Sequence, residues 1–289
     1  MKVFEDRFWA SRDGLKLHFR DYPAPEGAAD RLPVLCLHGL TRNARDFDVL
    51  APHLAAGGRR VICPDLRGRG DSEYARDSAT YTPMQYCEDV LALLDEQGVD
   101  RFVAIGTSLG GLMMMGLATV IPERFAGAVI NDVGPWLEPT GLARIKDYVG
   151  QGRTYPTWVH AARGLEDAQG DAHPGQPLDF WIGKAKRLMT VANNGRIVFD
   201  YDMKIAEPLL AIDVDEQPDL WPAWQALAQT PVLVLRGALS DLLSAATLDE
   251  MVRRMPSAEA VTLAGVGHAP TLDEPDALAA IERLLARVA

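Results

Sequence analysis

Short apolar runs alternate with amphipathic segments along most of the chain. Residues 4–10 and 15–21 read as an antiparallel strand pair, because Asp13-Gly14 between them is a strong turn signal. Residues 33–37 and 60–63 are apolar runs without alternation, as parallel strands covered on both faces require. Residues 46–56 between them have helical spacing and stop at Gly57-Gly58. A helix over 84–96 carries Val90, Leu91 and Leu94 on one face. A strand over 102–105, an apolar helix over 109–120 ended by Pro122, and a strand over 128–131 follow. The rhythm resumes far downstream with a strand at 231–235, a helix at 247–255, a strand at 260–263 and a last helix at 275–288. Strand and helix in alternation predict an α/β fold with a mostly parallel, twisted sheet flanked by helices.

The rhythm breaks once. Residues 135–229 are mostly helical in pattern, with turns at Gly150, Gly152, His173-Pro174-Gly175 and Asn193-Asn194-Gly195. The interruption falls between two core strands, so it is expected to be an inserted helical cap on a core of residues 1–134 and 230–289. Five of the six tryptophans lie in it: Trp136, Trp158, Trp181, Trp221 and Trp224. A small subdomain needs large aromatics to build any core. A lid also contacts whatever enters beneath it, so at least one of the five is expected on the wall of a substrate pocket.

Composition narrows the classes. At 289 residues with 48% hydrophobic and 24% charged side chains, the chain is globular in make-up, one large domain with room for an insertion. A net charge of −11 disfavours nucleic acid and anionic lipid as partners, and no apolar run approaches the length of a membrane span. The first residues lack the apolar stretch of a secretory signal. Cys36, Cys63 and Cys87 are odd in number and lack zinc-ligand spacing, which suits reduced, buried thiols in a cytoplasmic protein without a metal.

Gly106-Thr107-Ser108-Leu109-Gly110 fits Gly-x-Ser-x-Gly, and its context gives it force. It follows one predicted strand and opens a helix, a sharp turn that lifts a serine above the sheet edge. Ser108 is the candidate nucleophile and needs a base. His268 lies in a glycine-rich loop just past the strand at 260–263, at the same end of the sheet. His18, His53, His160 and His173 fall on a strand, a helix face or the insertion and read as structural or solvated. The acid that orients the base is assigned to Asp241, past the strand at 231–235, with Asp132 after the strand at 128–131 as its rival. An oxyanion needs donors, and the backbone amides of Leu109 and Leu40 are the candidates. His38 is expected to order the Leu40 loop by hydrogen bonding.

These pieces resemble the α/β-hydrolase fold superfamily, in its capped, esterase-like serine hydrolase form. The matching residues are His38-Gly39, the run from Asp65 to Ser72, the Ser108 motif, Asp241 and Gly267-His268, in the family's order over essentially the whole chain. The resemblance implies Ser108 as nucleophile, His268 as base, Asp241 as acid and no cofactor. The loop at 65–72 usually carries histidine where this chain has Arg69. Dehalogenases and epoxide hydrolases of the fold use an aspartate nucleophile, and this position is a serine. The expected activity is hydrolysis of small carboxylic esters or lactones with an apolar or aromatic group. Two other readings are carbon–carbon hydrolysis of vinylogous diketones, with Asn43, Arg42 and Trp136 as helpers, and a ligand receptor of low turnover.

Overall fold

The turn at Asp13-Gly14 closes the first hairpin. β1 (Glu5–Ala10) runs antiparallel to β2 (Lys16–Tyr22), with Trp9 opposite Leu17. In this computed structural model, which describes residues 3–213 and 216–288, β2 then pairs antiparallel with β4 (Val61–Pro64). From there the sheet is parallel: β4, β3 (Val34–Leu37), β5 (Phe102–Thr107), β6 (Phe125–Asn131), β10 (Val232–Gly237) and β11 (Glu259–Leu263), giving the order β1-β2-β4-β3-β5-β6-β10-β11. The central strands β3, β4, β5 and β6 are buried at every position, which explains why their sequences do not alternate.

Helices cover both faces. On one, α2 (Pro83–Glu96) and α3 (Leu109–Ala118) pack Val90, Leu94, Met113 and Leu117 into the larger core, joined by Met251 of α9 (Ala245–Arg254). On the other, α1 (Leu50–Ala56) and α10 (Pro275–Ala286) bury Leu50, Leu54, Ile281 and Leu284. The helix expected from residue 46 begins at Leu50. Residues Ala44–Phe47 form a tighter turn, because the Asn43 side chain caps Arg45 N and the Asp65 carboxylate accepts from Ala44 N at 2.6 Å.

The segment between β6 and β10 holds α4 (Pro139–Tyr148), α5 (Trp158–Gln169), α6 (Leu178–Leu188), α7 (Ala206–Leu210) and α8 (Trp221–Gln225). It also holds a small antiparallel sheet, which the mainly helical expectation lacked. β7 (Thr154–Tyr155) and β8 (Met189–Val191) flank β9 (Ile197–Phe199), and the turn at Asn194-Gly195 joins the last two. α5 and α6 bury a core of their own around Ala161, Leu165, Trp181 and Leu188. Among the described residues, no helix is long and apolar enough to cross a membrane.

Candidate active site

β5 runs straight into the elbow. Thr107 ends the strand, Ser108 sits at φ +52°, and α3 starts at Leu109. A non-glycine residue rarely holds that conformation, and here close packing enforces it. A Cβ on Gly106 would fall 2.5 Å from the Gly110 carbonyl carbon, and one on Gly110 would collide with the Leu37 carbonyl oxygen of β3. The two motif glycines therefore let helix and strands meet closely beneath the serine. Ser108 N donates to the Asn131 carbonyl at 2.9 Å, tying the elbow to the end of β6.

His268 follows β11 in its loop, and its Nε2 lies 3.0 Å from Ser108 Oγ. Several ties hold that loop, two of them on either side of His268. Asn131 Nδ2 donates to the Pro270 carbonyl at 3.0 Å, and Gly267 N donates to the Ala172 carbonyl of the inserted segment at 2.6 Å. A Cβ on Gly267 would lie 2.8 Å from Ala172 Cα, so the contact needs glycine.

The expected carboxylate partner of His268 is corrected. Asp132, the rival, lies against His268: its Oδ2 is 2.8 Å from Nδ1. The carboxylate is fully buried, and it also accepts from Gly237 N at 2.7 Å and from the Ser240 hydroxyl at 2.7 Å. Asp241, by contrast, makes no hydrogen bond to the base. Its carboxylate forms a two-point ion pair with Arg144 of α4, at 2.5 and 2.8 Å, and is about one-third exposed at 36%. Burial alone would raise the Asp241 carboxyl, but the guanidinium outweighs it and holds the group below its usual range. The physical reason is the path of the chain after β10. It turns at Ala238-Leu239 and sends Ser240 inward, so the next side chain points out.

Above Ser108 and His268 opens a cavity of about 900 Å³, whose wall includes Leu40 and Leu109. Among the described residues, none of Trp136, Trp158, Trp181, Trp221 or Trp224 lies on that wall, so the expected tryptophan-lined pocket is corrected as well. Trp181 is packed edge-on against Phe180 in the core of the insertion. Trp224 is buried and donates to the Met251 carbonyl at 3.2 Å, and Trp221 lies under the Arg254 guanidinium. Trp158 packs on the same small core as Trp181, and Trp136 is partly exposed. Trp158 and Trp181 thus hold the segment between β6 and β10 together, and Trp221 and Trp224 dock it on α9. The wall above the serine is built instead from Leu137, Leu142, Ile145, Tyr148 and Phe199.

Two residues shape the Leu40 loop. His38 is fully buried, donates from Nδ1 to the Gly39 carbonyl at 2.7 Å and accepts from Leu66 N at 3.1 Å. Arg69, also fully buried, donates from Nε to the Leu40 carbonyl at 3.0 Å and from Nη1 to Arg67 O and Tyr86 Oη. The arginine that departs from the family's usual histidine thus reaches the loop directly, a role its position in the sequence did not disclose.

Burial pushes His38 down to about 4, and burial with the nearby Lys184 pushes His173 to about 3. The folded state therefore binds these protons more weakly than the unfolded chain does. The stability they contribute is complete above the ordinary histidine value of about 6.5 and is lost as pH falls from there toward 4. For His38 the loss amounts to about 3 kcal/mol. Urea midpoints are expected to fall steadily between pH 7 and pH 4.5, and more shallowly in His38→Asn. An equal slope in the variant would remove His38 from this account.

Comparison with known proteins agrees with this architecture. The chain is 36% identical over 270 residues to the 3-hydroxybutyrate-oligomer hydrolase of Cupriavidus necator, covering 91% of each. It is 28% identical over 285 residues to esterase YbfF of Escherichia coli, covering 94% of this chain and 99% of that one. An α/β hydrolase from Novosphingobium aromaticivorans of known crystal structure superposes with a TM-score of 0.94 at 56% identity over the full length of both chains. The family model described as "Alpha/beta hydrolase family" matches residues 34–281. With these matches and the fold described above, the chain belongs to the alpha/beta hydrolase family and is a hydrolase.

Proposed function

We propose that this protein is a serine hydrolase that cleaves carboxylic esters of small hydroxy acids through an acyl-enzyme. The observation that carries the reading is the hydrogen-bonded series Ser108–His268–Asp132 at the floor of the cavity. His268 Nε2 takes the Ser108 proton as Oγ attacks the carbonyl carbon. Asp132 accepts from Nδ1, fixes the tautomer and stabilises the imidazolium, and Gly237 N and Ser240 keep the carboxylate aimed at the ring. The amides of Leu40 and Leu109 receive the oxyanion, Leu109 as a first-turn N–H of α3 with no preceding carbonyl to bond. His268 then protonates the departing alkoxide and activates water against the acyl-enzyme. The choice of hydroxy-acid esters rests on the 3-hydroxybutyrate-oligomer hydrolase among the relatives. Residues 135–229 act as the cap in this reading. The unpaired thiols Cys36, Cys63 and Cys87 suit a cytoplasmic setting.

The test is turnover of p-nitrophenyl esters from acetate to octanoate, with mass detection of a fluorophosphonate adduct on Ser108. Steady turnover with stoichiometric labelling supports the proposal. Labelling without turnover would mark a receptor and overturn it. Arg69 gives a second check. Arg69→Met leaves the Leu40 carbonyl without its donor, so kcat is expected to fall about 10- to 100-fold with little change in KM. A change confined to KM would show that the loop does not serve the oxyanion.

A further inference from the structure

The cavity is apolar over most of its wall, and the guanidinium groups on it are therefore conspicuous. Arg42 follows the Leu40 loop, and Arg144 projects from α4, so the two come from the core and from the inserted segment. Each is braced from behind. Arg42 Nη1 donates to Asp46 at 3.0 Å, while Arg144 spends Nε and Nη2 on Asp241. Neither Asp46 nor Asp241 is part of the cavity wall, so the carboxylates orient the arginines without blocking them. Among the described residues, Arg144 Nη1 and Arg42 Nη2 donate no hydrogen bond within the protein. In a chain of net charge −11, the largely apolar cavity next to Ser108 thus presents unspent cationic donors.

Position says which half of a substrate they meet. Arg144 is tied to Asp241, whose neighbour Ser240 donates to the Asp132 carboxylate that holds His268, and Arg144 lines the same cavity as His268 and Ser108. His268 is the group that hands a proton to the leaving oxygen, so a donor beside it faces the leaving alcohol. In an ester of a 3-hydroxy acid, that alcohol carries a carboxylate two carbons beyond the carbinol carbon. Guanidinium binds carboxylate strongly in a partly desolvated site, because its fork offers parallel N–H donors as well as charge.

Building on the ester-hydrolase reading above, we infer that Arg144, on the same cavity wall as Arg42, receives the free carboxylate on the leaving-alcohol half of the substrate, so that the enzyme removes hydroxy-acid units from the carboxylate end of short oligoesters. Arg144 is then a specificity-determining residue, and Asp241 the residue that positions it.

The experiment compares kcat/KM for the linear 3-hydroxybutyrate dimer as its free acid and as its methyl ester, with p-nitrophenyl acetate as a neutral reference. The wild-type enzyme is expected to prefer the free acid by at least tenfold. In Arg144→Gln that ratio is expected to fall at least tenfold, chiefly through KM. Arg144→Gln combined with Asp241→Asn leaves no unpaired carboxylate behind residue 144, and the same fall is expected. A purely structural role for the ion pair would lower both esters alike and leave the ratio unmoved. Wild-type turnover of the methyl ester with no preference for the acid overturns the inference and leaves the ester-hydrolase reading intact. Retention of the preference in the double variant overturns it too. Turnover of none of the three esters by the wild type overturns both. The wild-type ratio alone decides the matter should the variants fail to fold.

Discussion

Ser108→Ala is expected to lower kcat for ester hydrolysis by on the order of 10⁴-fold or more, with the fold unchanged. Ser108 is the residue whose hydroxyl lies 3.0 Å from His268 Nε2, and its backbone is held at φ +52° by glycines packed against β3 and α3. Nucleophile and base act as a unit, so removing one forfeits nearly everything the pair supplies, and the residue left is oxyanion stabilisation and binding. The loss of one hydroxyl leaves the elbow glycines and the Ser108 N to Asn131 bond in place, so thermal unfolding should match the parent. Steady-state kinetics on a p-nitrophenyl ester, with circular dichroism as a control, makes the check. A folded variant that keeps a tenth of the activity would sink the mechanism.

The second large effect separates two aspartates. Asp132→Asn is expected to cost on the order of 10³–10⁴-fold in kcat, because an amide opposite Nδ1 favours the wrong imidazole tautomer and cannot stabilise the imidazolium. Asn is close to isosteric: its Oδ1 can still accept from Gly237 N while its NH2 faces Nδ1 and the Ser240 hydroxyl, which can turn to accept, so the buried site stays filled. Asp241→Asn should cost far less on a neutral ester, about tenfold or below, since its carboxylate meets Arg144 and not the base. Purified variants measured side by side at saturating substrate decide the ranking. Were Asp241→Asn the more damaging, the hydrogen bond between Asp132 and His268 would be irrelevant to turnover.

What local sequence discloses depends on how far the deciding contact reaches. The meeting of Ser108 and His268 was legible because each lies just past a strand that ends at the same edge of the sheet, with glycines marking the turn. The carboxylate that meets His268 was not, since Asp132 and Asp241 both follow strands that end at that edge. What separates them is a turn that brings Ser240 inward and an arginine 97 positions upstream that takes Asp241 outward. No periodicity encodes such a pairing. The tryptophans show the same limit. Their concentration in the insertion was plain, but whether an indole faces its own helices or a cavity depends on packing that spacing alone does not fix. β7, β8 and β9 span only two or three residues each, too short for alternation to register.

The tie between Gly267 and Ala172 bears on how such enzymes can be rebuilt. A roof that touched only the substrate would be an interchangeable module, and grafting one from a relative would alter selectivity alone. Here the turn at Gly170–Ala172 is also a buttress for the loop that carries His268, through a 2.6 Å backbone bond and a contact too close for any side chain on residue 267. A chimera that exchanges the whole segment is therefore expected to shift His268 along with the cavity wall. One that grafts around this turn, keeping the Ala172 carbonyl where it is, changes the roof while leaving the imidazole seated.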